Sequence, residues 1–378
     1  MSDDYTIIET RGEFGELVGR LADEPCVALD TEFVWERTFY ARLGLVQLAT
    51  RDGKCYLLDT VAVPDLTPLA EVIANPRIEK ILHDAPQDLM ILRRATGAAA
   101  KNVFDTRLAA GFAGLSSETS LQNLLADLLD IQLPKGHTRA DWMARPLSGE
   151  QLDYAADDVR YLPRAAALLR ERAGAAGVES WLDEELALLG DPALTDERSP
   201  EESYRRIRAA GRLDSRGLAV LKELAAWRER EARAVDLPRK HVADDPELVS
   251  VANVLPVQPP DFEKCRDLGR RTEQRHSEAL LAAVRRGLAL PEAELPIPVK
   301  LPDERWLGKE RIAAVTECIR LCAEARRVDA RLVSTKHDVM MLLQEGALAS
   351  PENHRLLRGW RATLLGDSLA PILDRIKS

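Results

Sequence analysis

The stretch Cys26-Val-Ala-Leu-Asp-Thr-Glu-Phe33 decides how the first half of this chain reads. Its apolar lead-in and aromatic end have the composition of a buried strand. Side chains alternate along a strand, so Asp30 and Glu32 share one face and Thr31 points to the other. Working outward, Leu43-Gly-Leu-Val-Gln-Leu-Ala-Thr50 and Lys54-Cys-Tyr-Leu-Leu-Asp59 read as two more strands. The turn Arg51-Asp-Gly53 between them predicts a hairpin. A helix is expected over 66–74, a short strand at Lys80-Ile-Leu-His83, a helix over about 86–95 and a brief strand at Val103-Phe104. Helical patterning fills most of 106–190, apart from the basic loop Leu133-Pro-Lys-Gly-His-Thr-Arg139. Three strands followed by alternating helices and strands predict a mixed α/β domain, a sheet flanked by helices.

Two acids on one face of an apolar strand are costly. At about 5 Å and an effective dielectric of about 20, they repel by about 3 kcal/mol. A divalent cation reverses that sign, whereas solvation at a strand end is the plainer reading of an isolated Asp-X-Glu. This one is not isolated. His83-Asp-Ala-Pro-Gln-Asp88 ends a strand and opens a helix, and Tyr154-Ala-Ala-Asp-Asp158 places Tyr154 and Asp158 one helical turn apart on a shared face. Asp157 lies about 100° round that helix from Asp158, and Asp84 is a second acid beside Asp88; both are set aside from the site. Carboxylate oxygens without a Cys or His cluster suit a hard ion such as Mg²⁺ or Mn²⁺ rather than zinc.

Beyond this domain, Gly190-Asp-Pro-Ala-Leu-Thr-Asp-Glu-Arg-Ser-Pro200 has loop composition and marks a boundary. Leu218, Leu221, Leu224 and Trp227 then recur at helical spacing. Pro291, Pro296, Pro298 and Pro302 predict a stiff linker, and a second helical block runs from 303 onward. The expected organisation is an α/β domain over 1–190, a helical domain over 204–290, a linker over 291–302 and a second helical domain over 303–378.

The 378 residues carry a formal net charge of −10, which argues at first against a nucleic-acid partner. The charge is uneven. Residues 1–190 hold 19 Lys+Arg against 31 Asp+Glu, whereas 198–286 hold 19 against 15. The acidity therefore belongs to the domain with the carboxylate set. The five cysteines contain no CxxC pair, which argues against a disulfide framework or a zinc finger; Cys318 and Cys322 have a spacing that could bind a metal but, with no second Cys/His pair, read as core thiols. No apolar run approaches the ~20 residues of a membrane span. The acidic N-terminus lacks the pattern of a secretory signal, so a cytoplasmic protein is expected.

The ordered set resembles the DEDD-type 3′→5′ exonucleases of RNase H-like fold that carry a tyrosine in their third motif, and among them the ribonuclease D family. Leu29-Asp-Thr-Glu-Phe33 matches the first motif, Leu82-His-Asp-Ala-Pro-Gln-Asp-Leu89 the second and Tyr154-Ala-Ala-Asp-Asp-Val-Arg-Tyr-Leu162 the third. Leu43–Leu48, Phe104-Asp-Thr106 and Arg139-Ala-Asp-Trp-Met-Ala-Arg-Pro146 are similar to segments of that family. The resemblance implies that Asp30, Glu32, Asp88 and Asp158 bind two divalent ions, with Asp30 bridging, Glu32 and Asp158 completing one site and Asp88 supporting the other. It further implies that Tyr154 orients the attacking water and that nucleoside 5′-monophosphates leave from a free 3′ end. Phenol, with a free pKa of about 10, is a poor base at neutral pH.

Residues 210–290 resemble an HRDC domain through Leu221, Leu224, Trp227-Arg228, Ala232, Pro238-Arg-Lys-His-Val242, Asp245, Leu248 and Pro256; 303–378 resembles a more diverged copy, in which Lys336-His337 echoes Lys240-His241. That resemblance implies nucleic-acid binding, with Arg239 and Lys240 as phosphate contacts. Lys135 and Arg139 of the basic loop are further contact candidates. Asp105 reads most simply as a helix N-cap, and His83 as a core histidine. The resemblance implies an RNA substrate with a free 3′ end, tRNA precursors among them, and no obligate protein partner is inferred. A DNA exonuclease, as in the related exonuclease of the Werner-syndrome helicase, and a non-catalytic RNA-binding adaptor are the alternatives.

Overall fold

The computed structural model describes residues 5–134, 140–298 and 304–369. Lys135, His137 and Arg139 lie outside the described residues. The chain divides into two compact units, one of 5–34, 43–196 and 304–369, the other of 35–42 and 197–298.

The first unit is built on six strands: β1 (Tyr5–Ile8), β2 (Cys26–Val34), β3 (Arg42–Thr50), β4 (Cys55–Asp59), β5 (Glu79–Leu82) and β6 (Val103–Asp105). Their order is β1-β4-β3-β2-β5-β6. β3 and β4 form the expected antiparallel hairpin, with Val46 opposite Leu58, and Gly53 at φ 83° closes the turn. β1 runs parallel to β4, β2 to β5 and β5 to β6. The helices are α1 (Arg11–Leu21), α2 (Ala70–Ile73), α3 (Pro86–Thr96), α4 (Thr106–Phe112), α5 (Leu121–Leu129), α6 (Gly149–Arg160), α7 (Leu162–Ala175), α8 (Glu179–Ala187) and α9 (Pro192–Thr195). β1 and α1 precede the first element read from the sequence. β1 is only four residues long, and α1 starts at a capping box formed by Thr10 and Glu13. The helix expected over 66–74 begins as a 3₁₀ turn, Thr67–Leu69, with Pro68 inside it.

The second unit is helical: α10 (Ser215–Ala234), α11 (Arg239–Val242), α12 (Asp245–Val254) and α13 (Arg270–Ala289). The stripe of α10 does what its spacing predicts. Leu218, Leu221 and Leu224 are buried with Leu248, Val251, Leu280 and Val284. A Cβ on Gly287 would lie 2.6 Å from Val220 Cα, so α10 and α13 meet backbone to backbone. The 1–190 boundary needs a correction here. Residues 35–42, between β2 and β3, belong to this unit: Asp236 accepts from the backbone N–H groups of Phe39 (3.0 Å) and Tyr40 (3.2 Å), and Phe39 packs on Ala232 and Val242.

Helices α14 (Glu304–Leu307), α15 (Lys309–Ala325), α16 (Ala330–Val333), α17 (Lys336–Glu345) and α18 (Gly359–Leu365) make up the C-terminal block. The sequence reading separates 303–378 as a domain, whereas these helices share the core of the first unit. Trp360 is 1% exposed, edge-on to Phe112 at 5.0 Å and stacked on Trp181 at 6.0 Å. Its indole N–H donates to Glu185, which Arg361 grips with two 2.8 Å bonds. The buried residues that would close a separate core are spent on α4 and α8 instead. Among the described residues, no helix is long and apolar enough to cross a membrane.

Candidate active site

β2 supplies Asp30 and Glu32, α3 supplies Asp88 in its first turn, and α6 supplies Tyr154 and Asp158. α6 starts at a capping box in which Ser148 accepts from Gln151 N–H and Gln151 reaches back. It packs against β2 and β4, which brings its Asp158 face to the strand. One carboxylate oxygen from each of Asp30, Glu32 and Asp158 falls within 4.8 Å of the others. Tyr154 hydrogen-bonds Asp158 through its hydroxyl.

Asp88 stands outside that triad and is held from another side: the Thr31 hydroxyl donates to its Oδ1. The turn leading to Asp88 is fixed by Asp105, which accepts from Asp84 N–H (3.1 Å) and Ala85 N–H (2.9 Å) while capping α4 through Arg107 N–H and Leu108 N–H. Asp105 is thus an N-cap that also supports the second motif. Asp84, at φ 64°, turns outward to pair with Arg107, and Asp157 pairs with Arg160 at 3.3 Å; neither joins the cluster. His83 has both ring nitrogens occupied, by Thr106 Oγ1 at 3.0 Å and the Thr119 carbonyl at 3.2 Å, as befits a structural histidine.

The electrostatics are those of like charges held together. Burial first, then the neighbouring Asp88, Asp158 and Glu32, push Asp30 well above the usual carboxylate range. Burial, Asp158 and Asp88 push Glu32 up to about 8. Burial raises Asp158 to about 7 against the opposing Tyr154 hydrogen bond, and raises Asp88 to about 6 against the bond from Thr31. Tyr154 is raised by burial and by the same acids. Among the described residues, none of the four carboxylates is ion-paired to a lysine or arginine. An all-oxygen set without a counter-charge fits hard divalent cations.

Two residues near the set were not singled out from the sequence. Thr31 follows the strand alternation but touches Asp88, which alternation alone does not reveal. Gln47 of β3 is fully buried, its Nε2 lies 3.4 Å from Asp30 Oδ2, and its Oε1 has no hydrogen-bond partner. A single polar residue inside Leu-Val-Gln-Leu-Ala was the available signal. In the second unit, Arg239 is committed internally. It donates to Glu229 at 2.7 Å and covers the Phe39 ring at 4.5 Å. Its neighbour Lys240 is exposed.

A mixed sheet that converges three acids beside a helical tyrosine, with a fourth acid next to them, fits a metal-dependent nuclease class, and the comparisons agree. A family model described as 3′-5′ exonuclease matches residues 5–172, and one described as HRDC domain matches 217–284. Ribonuclease D of Desulfotalea psychrophila is 37% identical over 361 residues, 96% of each chain, and that of Escherichia coli is 32% identical over 374 residues, 98% of each. The crystal structure of Escherichia coli RNase D, described as an exoribonuclease involved in structured RNA processing, superposes with a TM-score of 0.86 at 31% identity over 99% of both chains. The catalytic core of RRP6 from Trypanosoma brucei matches at a TM-score of 0.56 and 25% identity, covering 76% of this chain and 80% of that one. The class is that of a 3′→5′ exoribonuclease. Within it, the chain belongs to the ribonuclease D family, whose general mechanism uses two metal ions.

Proposed function

We propose that Asp30, Glu32, Asp88 and Asp158 hold two divalent ions, Mg²⁺ or Mn²⁺, and that the enzyme trims the free 3′ ends of structured RNAs such as tRNA precursors in the cytoplasm. The observation that carries this reading is the convergence of three carboxylate oxygens within 4.8 Å beside Tyr154. Bound divalent ions supply an activated water and neutralise charge at the leaving oxygen.

The chain's own residues do the rest. Asp30 faces Asp88, Asp158 and Glu32 alike, and with Glu32 and Asp158 it would hold a shared ion. Asp88 is presented by Thr31. Tyr154 stays protonated at neutral pH, because burial and nearby acids raise it, so it orients the nucleophile by hydrogen bonding rather than taking its proton. Attack at the last phosphodiester releases a nucleoside 5′-monophosphate and leaves a new 3′-hydroxyl on the shortened RNA. Lys240, exposed in the second unit, is a contact candidate for a phosphate, and Lys135 and Arg139 remain contact candidates from the basic loop.

The test is product analysis on a 3′-tailed tRNA and a sequence-matched DNA strand, each with Mg²⁺ or Mn²⁺. Stepwise 5′-mononucleotide release from the RNA, halting near the mature 3′ end, is the expected result. Equal degradation of DNA overturns the RNA assignment, and trimming that runs into the tRNA body overturns the processing role.

A further inference from the structure

The sequence between the basic loop and α6, Ala140-Asp-Trp-Met-Ala-Arg-Pro146, is tied down with more bonds than a connector needs. Arg145 is the centre of the knot. Its guanidinium meets the Asp59 carboxylate at two points, Nε to Oδ2 at 2.5 Å and Nη2 to Oδ1 at 2.7 Å. The same group donates to three backbone carbonyls: Gly44 at 2.7 Å, Trp142 at 2.9 Å and Ala144 at 2.8 Å. Asp59 ends β4 and also accepts from Val61 N–H at 2.8 Å and Ala62 N–H at 3.1 Å. Burial acts to raise its carboxyl, yet these bonds hold it below the usual range. A planar fork on a carboxylate fixes direction as well as distance.

The knot presses Trp142 into one place. A Cβ on Gly44 would stand 2.3 Å from the Trp142 carbonyl oxygen and 3.1 Å from its Cβ, so the segment lies directly on the β3 backbone. The indole is 1% exposed, and its ring sits 6.2 Å from that of Tyr154, tilted by 32°. Tyr154 in turn reaches Asp158.

We propose that the Arg145–Asp59 pair is a positioning device for Tyr154. It acts through Trp142, and its purpose is to hold the tyrosine hydroxyl on the line of attack. The proposal rests on the reading of Tyr154 as the group that orients the nucleophile. Because Arg145 touches none of the carboxylate set, its loss leaves metal affinity alone and lowers the chemical step.

The experiment is a double-mutant cycle of Arg145→Gln with Tyr154→Phe in the full chain, measuring kcat and KM on 3′-tailed RNA and Mn²⁺ affinity by calorimetry. Arg145→Gln is expected to lower kcat about 10- to 100-fold, the cost of displacing a catalytic group by about 1 Å, with KM and Mn²⁺ affinity unchanged. In the Tyr154→Phe background the same change is expected to cost less than about threefold, since the group it positions is no longer there. Gly44→Ala keeps every charge and displaces Trp142, so it should reproduce the kcat defect and the non-additivity, which guards against a simple folding failure of Arg145→Gln. Full additivity with Tyr154→Phe, or a fall in Mn²⁺ affinity matching the fall in kcat, overturns the positioning role. A Tyr154→Phe enzyme with undiminished kcat overturns instead the reading of Tyr154 on which the proposal stands.

Discussion

Thr31, lying in sequence between Asp30 and Glu32, donates its hydroxyl hydrogen bond to Asp88 from a different element, α3. One strand therefore offers acids on one face and the holder of a further acid on the other. Replacing Thr31 with Val keeps the shape and β-branching but removes the donor. Loss of such an outer hydrogen bond typically costs about 10- to 100-fold in metal affinity or activity. Calorimetric Mn²⁺ titration of Thr31→Val should show a drop in that range with an unchanged melting temperature, and Thr31→Ser should recover most of it.

The carboxylate set makes the metal-free protein sensitive to pH. Glu32, Asp158 and Asp88 are raised to about 8, 7 and 6 in the fold, so the folded chain holds protons that the unfolded chain has already released. Their contribution is most favourable below the unfolded carboxylate pKa of about 4 and is lost as pH rises through those values. A divalent ion held there would supply the missing positive charge. The melting-temperature gain on adding Mg²⁺ should therefore increase from about pH 5.5 to about pH 8.5, and binding near pH 7 should release protons, seen as a dependence of the calorimetric enthalpy on the buffer's ionisation heat.

The residues of the site that were legible in the sequence are those whose geometry is local. Asp30 and Glu32 share a face because a strand has period two, and Tyr154 and Asp158 because a helix turns in 3.6 residues. The hairpin β3–β4 was legible for the same reason, from its Arg51-Asp-Gly53 turn. Thr31 on Asp88, Gln47 beside Asp30, and Arg145 on Asp59 and Gly44 are contacts between elements, which no local period encodes. The fate of the C-terminal helices was hidden likewise: their apolar stripes state that they pack, and not that Trp360 packs on Phe112 and Trp181.

That packing makes the last helices part of the catalytic unit's stability. Arg361 and Glu185 are 8% and 12% exposed in their side chains and joined by two bonds. Removing one member of such a pair leaves a buried charge and costs about 3–5 kcal/mol. Urea denaturation of Arg361→Ala should show a loss of that size in the transition of the exonuclease fold itself. A transition confined to the C-terminal helices would contradict the shared core.

In the second unit, the adjacent cations Arg239 and Lys240 should part company. Arg239→Ala removes one of the two arginines on Glu229, which is 3% exposed and also accepts from Arg233, and is expected to lower the melting temperature. Lys240→Ala should leave stability unchanged, weaken RNA binding across sequences and reduce the salt slope of the binding constant by about one. Binding isotherms at several salt concentrations, beside thermal melts, separate the two.

The most direct test of the account is the release of 5′-mononucleotides from a 3′-tailed RNA by wild type and by Asp30→Asn, an isosteric change at the acid that Asp88, Asp158 and Glu32 all face. The wild type should release them stepwise with Mg²⁺ and stop on chelation, while Asp30→Asn, folded and still able to bind RNA, should lose at least about 100-fold in rate. Equal trimming by the two proteins would contradict it.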